Sequence, residues 1–177
     1  MIAPLRNTKS EVRAITVGGI YIAVICHKYG VDFLNCDENR YIQALRDCPG
    51  AVMASWCLRT SYIAISFGKF INIYACHINE TAILPKWDKV HQLELYDDHP
   101  LDSLSFQYPY CLVMQHGSIG LHHVVSGVKQ QVQSNSITPT AAFLSYSSKT
   151  IALISASSPR IDLLEVRPSG CAALTHK

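Results

Sequence analysis

Apolar residues in this chain fall in short, nearly unbroken runs that are each closed by a turn. Four of them are Tyr21-Ile22-Ala23-Val24-Ile25, Tyr62-Ile63-Ala64-Ile65-Ser66, Tyr110-Cys111-Leu112-Val113-Met114 and Thr150-Ile151-Ala152-Leu153-Ile154. Runs this short, rich in β-branched and aromatic residues, predict strands covered on both faces; a buried helix would need a longer run. Beyond a turn, each run is followed by a second segment of fixed rhythm. The four second segments are Val31-Asp32-Phe33-Leu34-Asn35-Cys36, Ile71-Asn72-Ile73-Tyr74-Ala75-Cys76, Ile119-Gly120-Leu121-His122-His123-Val124 and Ile161-Asp162-Leu163-Leu164-Glu165-Val166. Each opens on a β-branched residue, has a small or polar residue second and a bulky apolar residue third. Their first residues lie 40, 48 and 42 positions apart.

The turns between paired segments carry the residues tight hairpins need: His27-Lys28-Tyr29-Gly30, Gly68-Lys69, His116-Gly117-Ser118 and Ser157-Ser158-Pro159-Arg160. Upstream of each pair lies a segment alternating small and large residues, over 12–17, 51–56, 101–106 and 140–145, which predicts an innermost strand. Downstream, 40–46, 90–96 and 128–133 are polar enough for outer edge strands, and the fourth repeat offers only 171–175. A period of roughly 40–45 residues with one four-stranded sheet per repeat is that of a β-propeller blade. The expected fold is therefore all-β and propeller-like, a single domain over 1–177. Its four blades of antiparallel strands span approximately 8–48, 49–98, 99–135 and 136–177. Four blades are few, so the expectation covers a ring closed by these four alone and a partial ring completed by self-association or by further blades of a longer parent chain.

His99-Pro100-Leu101-Asp102-Ser103-Leu104-Ser105-Phe106 resembles the start of a WD repeat, where a histidine precedes an inner strand. Ser148 to Val166 resembles the middle of such a repeat. The closing Trp-Asp pair is missing from all four copies, and Trp87-Asp88 stands too far beyond the third strand of its repeat to be that signature. Within the superfamily the order of features is most similar to the PROPPIN family, phosphoinositide-binding propellers of autophagy and endosomal traffic. That resemblance covers about Val12 to Val166. It implies peripheral contact with phosphoinositide membranes through a Phe-Arg-Arg-Gly motif between blades. The matching stretch, Lys129-Gln130-Gln131-Val132-Gln133, has one cation and no paired arginines, and no lipid-contact residue is carried over.

Composition narrows the function classes. The 177 residues are 49% hydrophobic and 16% charged, which excludes global disorder. The net charge is +2 with scattered Lys and Arg, so no nucleic-acid partner is expected. Seven cysteines without a secretory leader point to reduced thiols and a cytoplasmic location, peripheral to membranes if the lipid resemblance holds. No Walker sequence, dinucleotide fingerprint, His-Glu-x-x-His or nucleophile elbow is present, and no cofactor is expected.

The remaining candidate chemistry has plainer structural readings. The adjacent pairs Cys26-His27, Cys76-His77 and His122-His123 point to opposite faces of their strands and are poorly placed to chelate one ion. Cys36 and Cys76 occupy equivalent repeat positions, as buried packing residues would. Asp97-Asp98-His99 reads as an inter-blade loop, Gly117-Ser118-Ile119-Gly120 as a hairpin turn, and Tyr21, Tyr62 and Tyr110 as inter-blade packing. The expectation is a non-enzymatic scaffold that binds other proteins, with Lys28, Tyr29, Lys69 and Phe70 as the candidate contact turns.

Overall fold

The computed structural model describes residues 12–18, 22–37, 40–57, 59–77, 86–95, 99–133, 138–159, 161–167 and 170–173. Every regular element among them is a strand, and the chain divides into two compact units, Met1–Asp98 and His99–Lys177.

The first unit holds two sheets. One comprises β1 (Val12–Gly18), β2 (Ile22–His27), β3 (Gly30–Asn35) and β4 (Arg40–Leu45); the other β5 (Ala51–Trp56), β6 (Tyr62–Phe67), β7 (Phe70–His77) and β8 (Lys86–Glu94). In both, each strand pairs antiparallel with the next in sequence. This up-and-down order follows from the short turns, because a tight hairpin can only join antiparallel neighbours. The register places Val24 opposite Phe33 and Cys26 opposite Val31, so these four share one face. That face meets Ile63, Ile65 and Tyr74 of the second sheet in one buried cluster with Trp56. Trp87 packs on the cluster, stacked on Phe33 with centroids 4.3 Å apart and edge-on to Trp56 at 5.6 Å. Burying Phe33 completely contributes about 1.5–3 kcal/mol.

The second unit repeats the plan. Its sheets are β9 (Ser103–Gln107), β10 (Tyr110–Gln115), β11 (Ser118–His123) and β12 (Lys129–Val132), then β13 (Ala141–Leu144), β14 (Thr150–Ile154), β15 (Ile161–Arg167) and β16 (Gly170–Ala173). Leu112, Met114, Ile119, Leu121 and Val132 pack against Ala142, Leu144, Ile151, Leu153 and Leu164. The inner strands β9 and β13 are sheet edges, whose backbone groups need partners. Serines supply them: Ser103 Oγ donates to Ala142 O at 3.0 Å, and Ser105 Oγ accepts from Leu144 N at 2.9 Å. Ser148 Oγ donates to Gln107 O at 3.2 Å. The small residues of the inner strands are thus there to let two edges approach.

The fold class is as expected, and most strand limits fall within two residues of their predicted places. β8 departs most, starting at Lys86 rather than Val90. Its early start carries Trp87 into the sheet, opposite Cys76, and so into the core. β7 is correspondingly long at eight residues, which keeps Cys76 buried. β3 ends at Asn35, so Cys36 lies exposed in the following turn and is not the packing residue its repeat position suggested. Tyr110 packs on the second unit's core and Tyr62 is half-buried, while Tyr21 lies outside the described residues.

Candidate partner-binding rim

In an up-and-down sheet the turn between the second and third strands lies at the end where the fourth strand finishes. The link from β4 to β5 stays at that end, so the β2–β3 and β6–β7 turns share one rim of the first unit. The sequence-predicted residues are Lys28 and Tyr29 in the first turn, Lys69 in the second, and Phe70 as the opening residue of β7. They are presented alike. Lys28 Nζ lies 5.9 Å from the centre of the Tyr29 ring, and Lys69 Nζ lies 5.6 Å from that of Phe70. Both distances suit a cation over an aromatic face, worth about 0.5–1 kcal/mol at exposed sites. Tyr29 is 59% exposed; Phe70 is half-buried against Phe67, centroids 6.0 Å apart.

What holds the Lys28–Tyr29 turn rigid was hidden from sequence reasoning. His27, at the end of β2, is buried and accepts the Tyr29 amide at Nδ1 over 3.2 Å. The other ring nitrogen, Nε2, faces Asp32 Oδ2 at 3.3 Å. Arg46 completes the group, with Nη2 2.9 Å from Asp32 Oδ1 and Nη1 3.1 Å from His27 Nε2. Asp32 is 8% exposed and Arg46 52%, so the guanidinium caps a buried carboxylate and shows its other side to the rim. The signal was present: a charged residue inside an otherwise apolar strand must find a partner. The partners, at positions 27 and 46, could not be read from spacing.

Two backbone features complete the support. Gly50 N donates to Lys28 O at 2.7 Å, and Arg13 Nη1 donates to Gly50 O at 3.1 Å, tying the turn to the β4–β5 link. Gly30 sits at φ +135° with no room for a Cβ, which would run into the Leu45 carbonyl. At the second turn Gly68 takes φ +50°, as the first residue of a two-residue hairpin loop can. Lys69 also pairs with Glu94 at 2.8 Å, and Leu95 N donates to Lys69 O at 2.8 Å.

Beneath the rim a largely buried polar cluster joins the β4–β5 link to β7. Tyr74 donates to Asp47 Oδ2 at 2.7 Å and accepts from Asn72 Nδ2 at 3.0 Å; its oxygen lies 2.9 Å from Cys48 Sγ. Burial first, then the contacts with Cys48 and Asp47, hold the Tyr74 phenol well above its usual range. Burial likewise raises the Cys48 thiol, opposed by its contacts with the Tyr74 hydroxyl and the Asn72 amide. Desolvation pushes Cys26 and Cys111 up to about 12 and Cys76 up to about 11. Such thiols stay protonated at neutral pH and are inert as nucleophiles. The cluster does structural work.

The corresponding turns of the second unit differ in chemistry. His116, at φ +48°, puts its ring 4.3 Å from that of His99, and Gly117 N donates to Asp102 Oδ2 at 3.4 Å. Gly117 thus lies in the hairpin turn, Ser118, Ile119 and Gly120 belong to the strand it enters, and Asp102 bonds a turn amide. Residues 97 and 98 lie outside the described residues. In the fourth sheet Ser155 and Ser157 hydroxyls lie 2.8 Å apart. Among the described residues no three His, Cys, Asp or Glu side chains are grouped to hold a metal ion. Lys129–Val132 forms strand β12, so the stretch matched to the lipid motif is an outer strand rather than an inter-blade loop.

No family model and no curated protein matches the sequence. Among solved structures, the fold is similar to the β-propeller domain of Cps50 (Swd1) from Myceliophteria thermophila. That match has a TM-score of 0.73 and 10% identity, and covers 90% of this chain and 55% of that one. It is also similar to the WD40 domain of Neurospora crassa Pan2, with a TM-score of 0.58, 11% identity, and coverage of 88% and 47%. The PROPPIN Hsv2 of Kluyveromyces lactis matches with a TM-score of 0.52, 12% identity, and coverage of 94% and 63%. The fold is thus that of a β-propeller, and the chain spans about half to under two thirds of the length of these structures.

Proposed function

We propose that this chain is a non-enzymatic interaction module that binds other proteins through the rim carrying Lys28, Tyr29, Lys69 and Phe70. The observation that carries the reading is the repetition of one arrangement on adjacent blades: a lysine held over an aromatic ring, in a hairpin turn fixed from below. Aromatic and cationic side chains on a rigid base lose little entropy on binding, which is what contact anchors require. A cytoplasmic location is part of this proposal and rests on the cysteine content of the sequence. The test compares proteins captured by the native chain, by Lys28→Glu/Tyr29→Ala and by Lys69→Glu, with Val125→Asp as a control at the opposite end of its sheet. The reading requires partners lost from both rim variants and kept by the control. Partners retained equally by all four chains would refute it.

A second reading is a phosphoinositide-binding adaptor of autophagy or endosomal membrane traffic, favoured by the likeness to Hsv2. Sedimentation with phosphatidylcholine vesicles, with and without phosphatidylinositol phosphates, decides it. Binding that depends on the phosphoinositide supports this reading, and equal recovery from both vesicles removes it.

A further inference from the structure

Charge is spread unevenly along the rim of the first unit. At the second turn Lys69 is matched by Glu94. At the first turn three exposed cations, Arg13, Lys28 and Arg46, gather about Tyr29. Arg13 is held by the Gly50 carbonyl, and Gly50 in turn by the Lys28 carbonyl. The Tyr29 amide is held by His27, the same ring that Arg46 meets at 3.1 Å. Among the described residues no carboxylate pairs with Arg13 or Lys28. The two acids nearby are engaged: Asp32 is buried beneath Arg46, and Asp47 accepts the Tyr74 hydroxyl. Three cations thus face outward here, against Asp47 as the one exposed carboxylate described beside them.

We propose that this corner takes an acidic peptide segment of a partner protein, with the Arg46 guanidinium as its fixed carboxylate receptor. The inference rests on the rim reading and names the chemistry of what the rim binds. A guanidinium carries five N–H donors in a planar fork. Asp32 and His27 meet Nη2 and Nη1 from beneath, while the side chain stays 52% exposed. The outer donors therefore point to solvent with their direction already set. A carboxylate docking there gains charge-assisted hydrogen bonds at little cost in side-chain freedom. Tyr29, 59% exposed on an amide pinned by His27, offers the segment a rigid aromatic surface between the charges.

The sign of the partner follows from the imbalance. Cations without counter-charges attract a segment of opposite sign and penalise one of like sign. Its form follows from the anchors. Lys28 lies over the Tyr29 ring, Arg13 on the Gly50 carbonyl and Arg46 on Asp32, so the charges are separate and do not close on one point. Carboxylates spaced along an extended chain match such an array; a single phosphate would engage one cation at a time. Exposed charges of this kind act through water and are screened by salt.

Fluorescence anisotropy of a labelled oligoglutamate peptide titrated with the full chain tests it, with oligoserine as the neutral peptide and phosphatidylinositol phosphate vesicles as the lipid arm. Oligoglutamate binds about tenfold tighter than oligoserine at ~20 mM salt, and about fivefold more weakly at ~300 mM than at ~20 mM. Arg13→Gln and Lys28→Gln each weaken it about threefold, and Lys149→Gln, on an exposed turn of the second unit, leaves it unchanged. Arg46→Gln alone strands the Asp32 carboxylate, so Arg46→Gln/Asp32→Asn, which removes both charges, is the variant read for Arg46; it weakens binding at least as much. Equal binding of the two peptides, variants that bind like the native chain, or variant-sensitive binding to the vesicles alone would each overturn the assignment. Protein partners lost from Lys28→Glu/Tyr29→Ala and Lys69→Glu, yet kept by Arg13→Gln and at high salt, would overturn it and leave the rim reading standing. Partners kept by all of these variants would overturn both.

Discussion

His122 sits on β11 between Cys111 and Lys129 of the flanking strands, 1% exposed, with no hydrogen-bond partner for Nδ1 among the described residues. The imidazole lies over Gly120, where a Cβ would come within 3.1 Å of Nε2. Burial first, and the nearby Lys129 cation second, lower its pKa from 6.5 to about 4. The unfolded chain therefore takes up a proton near pH 6.5 while the folded chain resists until about pH 4. Between those values the unfolded state binds more protons, so stability falls as pH falls, by about 1.4 kcal/mol per pH unit. Across the window that is a loss of about 3 kcal/mol, a large share of a small domain's 5–15 kcal/mol. Above pH 6.5 both states are neutral at this residue and the contribution vanishes. Urea unfolding of the native chain and His122→Gln from pH 7.5 to 4 isolates the effect, because every other titrating group is common to both. The native curve should steepen below pH 6.5 relative to the variant's and flatten near pH 4. Parallel curves would refute the reasoning, whatever constant offset the substitution adds.

Three further outcomes are expected. Phe33→Ala empties the stacking place beside Trp87 in the first unit's core and should cost about 3–5 kcal/mol in urea unfolding. Gly30→Ala and Gly68→Ala both strain a positive φ, yet only the former meets backbone. Gly68→Ala should cost about 1 kcal/mol and Gly30→Ala distinctly more, with a lower midpoint for the latter in thermal unfolding. Tyr74→Phe removes the hydroxyl that joins Asp47 to Asn72 and should cost about 1–3 kcal/mol by denaturant titration, through the buried amide left with only the weak Cys48 sulfur as acceptor.

The fold was legible because its strands obey one local rule. The second and third strands of the first three repeats are covered on both faces, which writes continuous apolar runs such as Ile63–Ile65 and Cys111–Met114. Outer strands have no such rule. β8 opens on Lys86-Trp87-Asp88-Lys89, whose polar residues face solvent while Trp87 turns to the core past a register shift between Ile73 and Tyr74. A bulge shifts the inward set by one residue, and no periodicity count sees it. The rim residues were found as turns, but their support was not. His27 and Arg46 reach Asp32 from two other strands' ends, a convergence that tertiary structure alone creates.

The second position of the third strand shows why repetition reveals fold before function. Asp32, Asn72, Gly120 and Asp162 occupy it, equivalent in sequence and in register. Asp32 anchors an ion pair beneath a turn, and Asn72 bonds Tyr74 and Cys48. Gly120 leaves space for an imidazole, and Asp162 is half-buried on an open blade. What the repeat conserves is the backbone pleat that makes the position available; each sheet spends it differently. Turn chemistry diverges in the same way, with lysine over an aromatic ring in the first unit and histidines or serines in the second. On the proposed rim reading, specificity for a partner comes from turn residues that the two units do not share. Lys28, Tyr29, Lys69 and Phe70 are such residues, alike on two blades and matched on neither of the others.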